Sequence, residues 1–199
     1  MIRTIVFDLS EVLIAGLVGI EKPLSRQLLV PEDKVLPAFG GALLEDLCCG
    51  RISEDVYLAQ IVERQRWAIS TDRLKQVIRQ NLHRRVPGMD DMFARLATRY
   101  ELILLSDHAA EWVEYIRSVH PFLELFEAQF FSFDTQQTKG EPSTFRIVLE
   151  AIGREPQECL FIDDNPTNVR AATAVGIASI RFASAQQLIA DLAGFGIQV

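Results

Sequence analysis

The sequence predicts an α/β fold built on a doubly wound parallel sheet, and two observations carry that prediction. Five short apolar runs recur along the chain, and amphipathic segments of helical period lie among them. The runs are unbroken rather than alternating, as expected of strands covered on both faces by crossover helices.

The first run, residues 2–7, is rich in β-branched and aromatic residues and ends at Asp8. The second, 102–105, ends at Ser106. The third, 128–131, precedes a polar loop. The fourth, 159–162, ends at Asp163-Asp164, and the fifth, 177–181, follows Gly176. Residues 90–100 carry Met92, Phe93, Leu96 and Ala97 at helical spacing. Residues 111–119 repeat the pattern with Trp112, Tyr115, Ile116 and Val119, and residues 144–152 with Phe145, Val148, Leu149 and Ile152. Asn165-Pro166 reads as an N-cap followed by Pro at the first helical position. That helix runs through Val169, Ala172 and Ala174 and stops at Gly176.

Residues 15–86 break the rhythm and hold no clear strand. Pro31-Glu32-Asp33 opens one helix there, with Pro in its first turn. Ser53-Glu54-Asp55 opens another. Ser70 or Thr71 opens a third, whose apolar face is Leu74, Val77, Ile78 and Leu82. The expected organisation is therefore a core of residues 1–14 and 87–199 interrupted by a helical insertion, 15–86. The insertion holds eleven basic and nine acidic residues against nine and eighteen in the remainder. Its plainer reading is a solvated helix face. The sharper one is a mildly basic lid that attracts anions, with the Arg-rich stretch 64–85 touching a distal anionic group.

Composition narrows the function. The 199 residues are 49% apolar and 24% charged, which excludes a largely disordered chain. A net charge of −7 argues against general nucleic-acid binding, because phosphate backbones attract basic surfaces. The longest apolar stretch, residues 12–20, is well short of the roughly 18 residues that cross a membrane. Asp8 and Glu11 precede it where a signal peptide wants positive charge, so a cytoplasmic protein is expected. Cys48, Cys49 and Cys159 have no metal-ligand spacing and read as buried small hydrophobes in a reducing compartment.

In open α/β sheets, ligands bind beyond the carboxyl ends of the strands. Three strand ends here carry Asp8, Ser106 and Asp163-Asp164, and Lys139 lies in the loop after the third strand. Phosphoryl transfer needs such a set. One carboxylate attacks phosphorus, others hold Mg²⁺ through oxygen, and the metal, an ammonium and a hydroxyl offset charge on the phosphoryl oxygens. A lone Asp at a strand end is often only a turn or cap residue, and Asp163-Asp164 could merely cap the following helix. Two adjacent carboxylates repel unless a cation lies between them, which favours the metal.

With those residues in order, the sequence resembles the haloacid dehalogenase-like (HAD) superfamily of hydrolases over essentially the whole chain. The first family motif is matched by Ile5-Val6-Phe7-Asp8, the second by Leu102-Ile103-Leu104-Leu105-Ser106. The third is matched by Lys139-Gly140-Glu141-Pro142, and the fourth by Phe161-Ile162-Asp163-Asp164-Asn165-Pro166. The resemblance implies a Rossmann-like core with an α-helical cap inserted after the first motif. It implies a Mg²⁺-dependent phosphatase acting on a small phosphorylated metabolite. Asp8 would be the nucleophile and a Mg²⁺ ligand, and Asp164 with Asp163 would complete the metal's protein ligands. Ser106 would hydrogen-bond a phosphoryl oxygen and Lys139 would neutralise charge beside Asp8. Asp107 and Asn168 would lie on the substrate side, Asn168 orienting that end of the site.

Family phosphatases usually carry a second Asp two residues after the nucleophile, which protonates the leaving group. Ser10 stands there. Its backbone carbonyl can still bind Mg²⁺, but its hydroxyl is too weak an acid to replace a carboxyl, and acid–base help is worth about 10²–10⁴-fold. The departure leaves three readings: substrates with good leaving groups, a slow phosphatase in which Glu11, water or the substrate supplies the proton, or a module that binds phospho-ligands without turnover. The superfamily's 2-haloacid dehalogenases also lack the second Asp. They need no Mg²⁺ and lack the acidic pair, so Asp163-Asp164 favours a phosphatase. His108 reads as an exposed loop histidine, and His83 and His120 show no partner pattern. Trp67 and Trp112 read as packing residues, with Trp67 able to reach the cleft.

Overall fold

The computed structural model describes residues 1–199. After β1 (Thr4–Phe7) the chain forms α1 (Glu21–Leu28), a 3₁₀ turn at Glu32–Lys34, then α2 (Val35–Phe39) and α3 (Ala42–Cys48). Next come α4 (Glu54–Gln65), α5 (Thr71–Leu82) and α6 (Met89–Ala97). It then alternates through β2 (Glu101–Ser106), α7 (Ala110–Val119), β3 (Ala128–Phe131), the short α8 (Ser132–Thr135) and α9 (Pro142–Ile152). It ends with β4 (Cys159–Asp163), α10 (Pro166–Ala174), β5 (Ala178–Arg181) and α11 (Ala185–Gly194).

The five strands form one sheet in the order β3-β2-β1-β4-β5, and every pairing is parallel. Each predicted strand is present, shifted by at most two residues at an end. The unbroken apolar runs are explained by burial on both faces, since all residues of β1 and β4 are buried. Side chains alternate between two cores. Val6, Ile103, Leu105 and Phe161 pack with Phe145 and Val148 of α9 and Ala171 and Ala172 of α10. Ile5, Phe7, Leu104 and Ile162 point the other way, towards Phe93 of α6, Trp112 of α7 and Leu188 of α11.

The segment between β1 and β2 is wholly helical, with the caps read from the sequence at two of three places. Ser53 and Ser70 accept hydrogen bonds from Val56 and Arg73 N–H and start α4 and α5. Pro31 differs. It precedes the 3₁₀ turn in extended conformation instead of sitting inside a helical first turn. Two helices there were not foreseen, α1 and α3. Neither has a side-chain cap to signal its start; α1 buries only Leu24, and α3, with Leu43, Leu47 and Cys48 buried, is only seven residues long. Tyr57, Leu58 and Ile61 of α4 and Leu74, Val77 and Ile78 of α5 belong to the same apolar core as Phe7 and Trp112.

Buried polar bonds add to that seam. Glu54 accepts two bonds from Arg79 (2.8 and 2.7 Å) and one from the Trp112 indole (2.7 Å). The Ser132 hydroxyl donates to the Cys48 carbonyl (2.6 Å), and Asn81 donates to the Gly16 and Val18 carbonyls. Such satisfied buried groups hold the helices in one register on the sheet. No helix is long and apolar enough to cross a membrane.

Candidate active site

The chain runs outward from β1 through β2 to β3, then returns to the other side of β1 for β4 and β5. The order therefore reverses between β1 and β4, and a crevice opens beyond their carboxyl ends. Asp8 follows β1 directly, its N–H donating to Ile162 O (2.9 Å), and Asp163 ends β4. The switch point thus brings carboxylates 155 residues apart in sequence side by side.

Lys139 lies between them. Its Nζ is 2.6 Å from Asp8 Oδ1 and 2.7 Å from Asp163 Oδ2, and the side chain is 1% exposed. The long loop that delivers it is pinned at two places. Lys139 N–H donates to both Asp107 oxygens (3.1 and 3.2 Å), and Thr144 Oγ1 in α9 donates to Thr138 O (2.8 Å). Asp8 Oδ1 also accepts from Leu9 N–H (2.7 Å) and from Ser106 Oγ (3.1 Å). Three donors thus converge on one oxygen of Asp8, while its Oδ2 accepts from no protein group. Asp163 is committed on both oxygens, to Lys139, to Asn165 N–H (2.7 Å) and to the Asn168 amide (3.2 and 3.1 Å). The half-buried Asp164 carboxylate accepts from no other side chain.

This cluster has too much negative charge for one ammonium. Burial pushes the Asp8 carboxyl up to about 8, Lys139 opposes it, and Asp163 and Asp164 add to the rise. Burial alone would discharge Lys139, but Asp163, Asp8 and Asp107 more than reverse that and hold the ammonium above its ordinary value. Burial and Asp163 raise Asp164 as well. A cation at the acidic end would relieve all three carboxyls. Oxygens of Asp8, Asp163 and Asp164 lie within 4.8 Å of one another. A divalent ion with bonds near 2 Å needs ligands within roughly 4 Å, so small side-chain rotations close the cage. An all-oxygen donor set suits Mg²⁺.

The cluster floors a cavity of about 530 Å³. Asp8, Ser10, Asp107, Lys139, Asp164 and Asn168 all line it; Ser106 and Asp163 lie behind it, holding Asp8 and Lys139. Asp107 serves Lys139 through its backbone, and Asn168 serves Asp163. Glu11 Oε1 accepts from Gly16 and Val18 N–H (2.8 and 3.0 Å), folding the loop after β1 back on itself. Gly16 is required there, since a Cβ would lie 2.8 Å from both Glu11 Oε1 and Ser10 Cβ.

A family comparison agrees with this geometry. Residues 2–176 match the family model described as haloacid dehalogenase-like hydrolase. The chain belongs to that hydrolase family. Flavin mononucleotide hydrolase 1 of Arabidopsis thaliana is 30% identical over 113 residues, 56% of this chain and 46% of that protein. Phosphoglycolate phosphatase of Escherichia coli K12 is 35% identical over 68 residues, 31% of this chain and 27% of that protein. The matches therefore span less than half the length of these curated relatives. A HAD family enzyme of Bacteroides thetaiotaomicron, solved with magnesium and inorganic phosphate, superposes with a TM-score of 0.75 at 22% identity, covering 92% of this chain and 96% of that one.

For this HAD-like hydrolase, several sequence expectations need correction. His108 is not exposed; it is 2% accessible, and its Nε2 is 2.8 Å from Ser10 Oγ. Burial, then Lys139 and Arg79, pulls its pKa down to about 3, so the ring is neutral. Its Nδ1 has no partner. A buried N–H left unpaired is costlier than an unpaired acceptor, so Nε2 carries the proton, donates to Ser10 and leaves the Ser10 hydroxyl proton free. Nothing local in Asp107-His108-Ala109 signals this, because the hydrogen-bond partners of His108 are Ser10 after β1 and Ser132 after β3; the Trp112 ring packs edge-on against it. Trp112 lines the cavity as well as packing against Tyr57, whereas Trp67 packs on Phe39 away from it. No arginine of the stretch 64–85 lines the cavity; Arg84 and Arg85 line the neighbouring one. Burial raises the Cys48, Cys49 and Cys159 thiols, as fits inert small residues.

Proposed function

We propose that this chain is a Mg²⁺-dependent phosphatase that cleaves small phosphate monoesters through an aspartyl-phosphate on Asp8. The observation that carries the reading is the buried Asp8–Lys139–Asp163 cluster at the sheet's switch point, with one Asp8 oxygen free of donors. The relatives lend support, one named for flavin mononucleotide and one for phosphoglycolate. So do the magnesium and phosphate bound in the Bacteroides enzyme.

Each residue has a distinct part. Asp8 Oδ2 attacks phosphorus as the ester P–O bond breaks, and the departing oxygen takes its proton from water or from its own group. Water then cleaves the acyl phosphate, releasing inorganic phosphate and restoring Asp8. Lys139 and the Ser106 hydroxyl hold Asp8, and Lys139, which lines the cavity, faces the charge on the phosphoryl oxygens; Ser106, behind the cavity, acts through Asp8 and not on the phosphate directly. Asp8, the Ser10 carbonyl and Asp164 would hold Mg²⁺, while Asp163, already committed, fixes Lys139. Bound there, the ion supplies Lewis-acid stabilisation of phosphoryl charge. Ser10, fed by His108, donates a hydrogen bond to the leaving oxygen without surrendering a proton, so good leaving groups are favoured. Residues 15–86 act as a cap that walls the site.

Asp8→Asn should abolish Mg²⁺-dependent hydrolysis of 4-nitrophenyl phosphate; retained turnover would overturn the mechanism. The Ser10–His108 pair also supports a second reading, a module that binds phospho-ligands without turnover. Stoichiometric beryllofluoride binding at Asp8, with no hydrolysis across a broad metabolite panel, would decide for it.

A further inference from the structure

Beyond the position of the phosphate, the cavity wall is acidic and apolar and has no cation to offer. Its basic residue is Lys139, which is spent on Asp8 and Asp163. Glu45 stands at the mouth with its side chain 58% exposed. Arg51 pairs with Glu45 (3.1 Å) and Asp46 (2.6 Å), so one guanidinium serves two carboxylates and the rim stays negative. Neither Arg79 nor Arg84 lines this cavity, although Arg84 keeps its charge and lies in the neighbouring one. Arg79 holds Glu54, and Arg84 donates to Asn81 (2.9 Å). Leu17, Val18, Leu44 and Trp112 supply the apolar part of the wall, and Glu11, Thr138, Asn165 and Thr167 its remaining polar groups, none of them a cation.

We propose that the group carried by the phosphate is uncharged or cationic, seated on that apolar wall, and that Glu45 is the residue that turns away esters bearing a carboxylate or a second phosphate. The proposal rests on the phosphatase reading above and narrows it. A carboxylate on the substrate would sit near Glu45 in a cavity whose one ammonium is committed, with Arg51 already shared by Glu45 and Asp46, and a like charge about 7 Å away would cost about tenfold in affinity at an effective dielectric near 40. A neutral ring or chain meets Leu17, Leu44 and Trp112 without that cost, and an ammonium gains from Glu45.

Three aryl phosphates of similar size test this: 4-carboxyphenyl, 4-carbamoylphenyl and 4-(aminomethyl)phenyl phosphate, assayed with Mg²⁺. The expected kcat/KM for the carboxyl ester is about tenfold below the carbamoyl ester, with the aminomethyl ester equal to or above it. Glu45→Gln should narrow the carboxyl–carbamoyl gap, and Glu45→Lys should close or invert it. A wild-type protein that takes the carboxyl ester as well as the carbamoyl one overturns the proposal, as does a gap that survives Glu45→Lys. If none of the three is hydrolysed, the phosphatase reading fails by itself. The charge ranking is then read from calorimetric binding of the matching 4-substituted benzylphosphonates with Mg²⁺. There, equal or tighter binding of the carboxyl compound overturns it.

Discussion

The two ends of the sheet carry polar clusters of opposite design. At the amino end, Thr4 of β1 donates to Glu101 of β2 (2.6 Å), and Arg154 donates to the same carboxylate (3.0 Å). One acid meets one base, and Glu101 and Arg154 keep 26% and 30% of their side-chain surface in water. At the carboxyl end, Asp8, Asp163 and Asp164 share a single ammonium, with Asp8 and Asp163 almost wholly out of solvent. The first cluster is balanced by the protein alone. The second carries more negative charge than its one ammonium balances, which raises Asp8 and Asp164 and favours uptake of a proton or a cation.

Removing the base from each end gives the largest contrast. Lys139→Met leaves Asp8 and Asp163 buried without their partner, which costs about 3–5 kcal/mol of stability. It also removes a charge next to the reacting phosphoryl group, so kcat should fall about 10²–10³-fold. Arg154→Met should leave phosphatase kcat unchanged and shift the melting temperature little, because water screens its partner. Denaturant titration and 4-nitrophenyl phosphate kinetics on both variants make the check. Comparable losses at the two ends would erase the distinction.

The carboxyl end also lacks an acid, and restoring one is the next largest effect. Ser10→Asp places a carboxyl beside the leaving oxygen, where general acid–base help is worth about 10²–10⁴-fold. Part of that gain is lost because the new carboxyl also meets His108, whose Nε2 lies 2.8 Å from Ser10 Oγ. A rise in kcat of at least about tenfold for alkyl phosphates, and less for 4-nitrophenyl phosphate, is expected. Equal gains on both substrates would place the limitation elsewhere than proton transfer.

Much of this asymmetry was legible in the residues. The strands announced themselves because a parallel strand buried on both faces has no polar position until it ends, and Asp8, Ser106 and Asp163 mark those ends. Asn165-Pro166 announced α10 because cap and first turn are local chemistry, and the Asn165 side chain does accept from Thr167 N–H. What stayed hidden was made by distant chain. His108 is two residues past a strand end, an ordinary place for exposure, yet it is buried between Ser10, Ser132 and the Trp112 ring. Glu54 is the first-turn acid of α4 that it looked like, and it is also a buried acceptor for Arg79 and Trp112, which the sequence did not signal. The positive balance of residues 15–86 suggested a lid for anions. Arg79 and Arg85 are paired with Glu54 and Asp90, and no arginine lines the cavity, which no count of charges could reveal.

Metal linkage sharpens the contrast by pH. The Asp8 carboxyl lies near 8 in the folded chain against an ordinary value of 3.8. Between those values the unfolded state holds fewer protons, so without metal this group makes stability fall as pH rises from about 4 to 8. Mg²⁺ binds the ionised carboxylates and competes with that proton. Its stabilisation should therefore be small at pH 5 and grow towards pH 8, reaching about 2.7 kcal/mol when the ion is at a hundred times its Kd. Thermal melts with and without Mg²⁺ at the two pH values test this. Asp8→Asn should flatten the difference, and Glu101→Gln at the other end should not. A Mg²⁺ shift equal at both pH values would mean the ion binds outside the cluster.

His108 gives the smallest effect, of opposite sign. Its folded pKa, near 3, is below the ordinary 6.5, so between those values the unfolded chain binds the extra proton. Stability from this group therefore falls as pH drops through 6.5, and the loss is complete only near pH 3. From pH 7 to pH 5 it amounts to about 2 kcal/mol. His108→Gln keeps a donor close to the Nε2 position, so it preserves the bond to Ser10 while removing the titrating ring. Denaturant titrations at pH 7 and pH 5 should show wild type losing about 2 kcal/mol more than the variant. Because Asp8 pushes the opposite way over the same interval, the comparison must be between wild type and variant at each pH, where the Asp8 contribution cancels. Identical acid sensitivity in the two proteins would mean that the ring is already charged or reaches water in the folded chain.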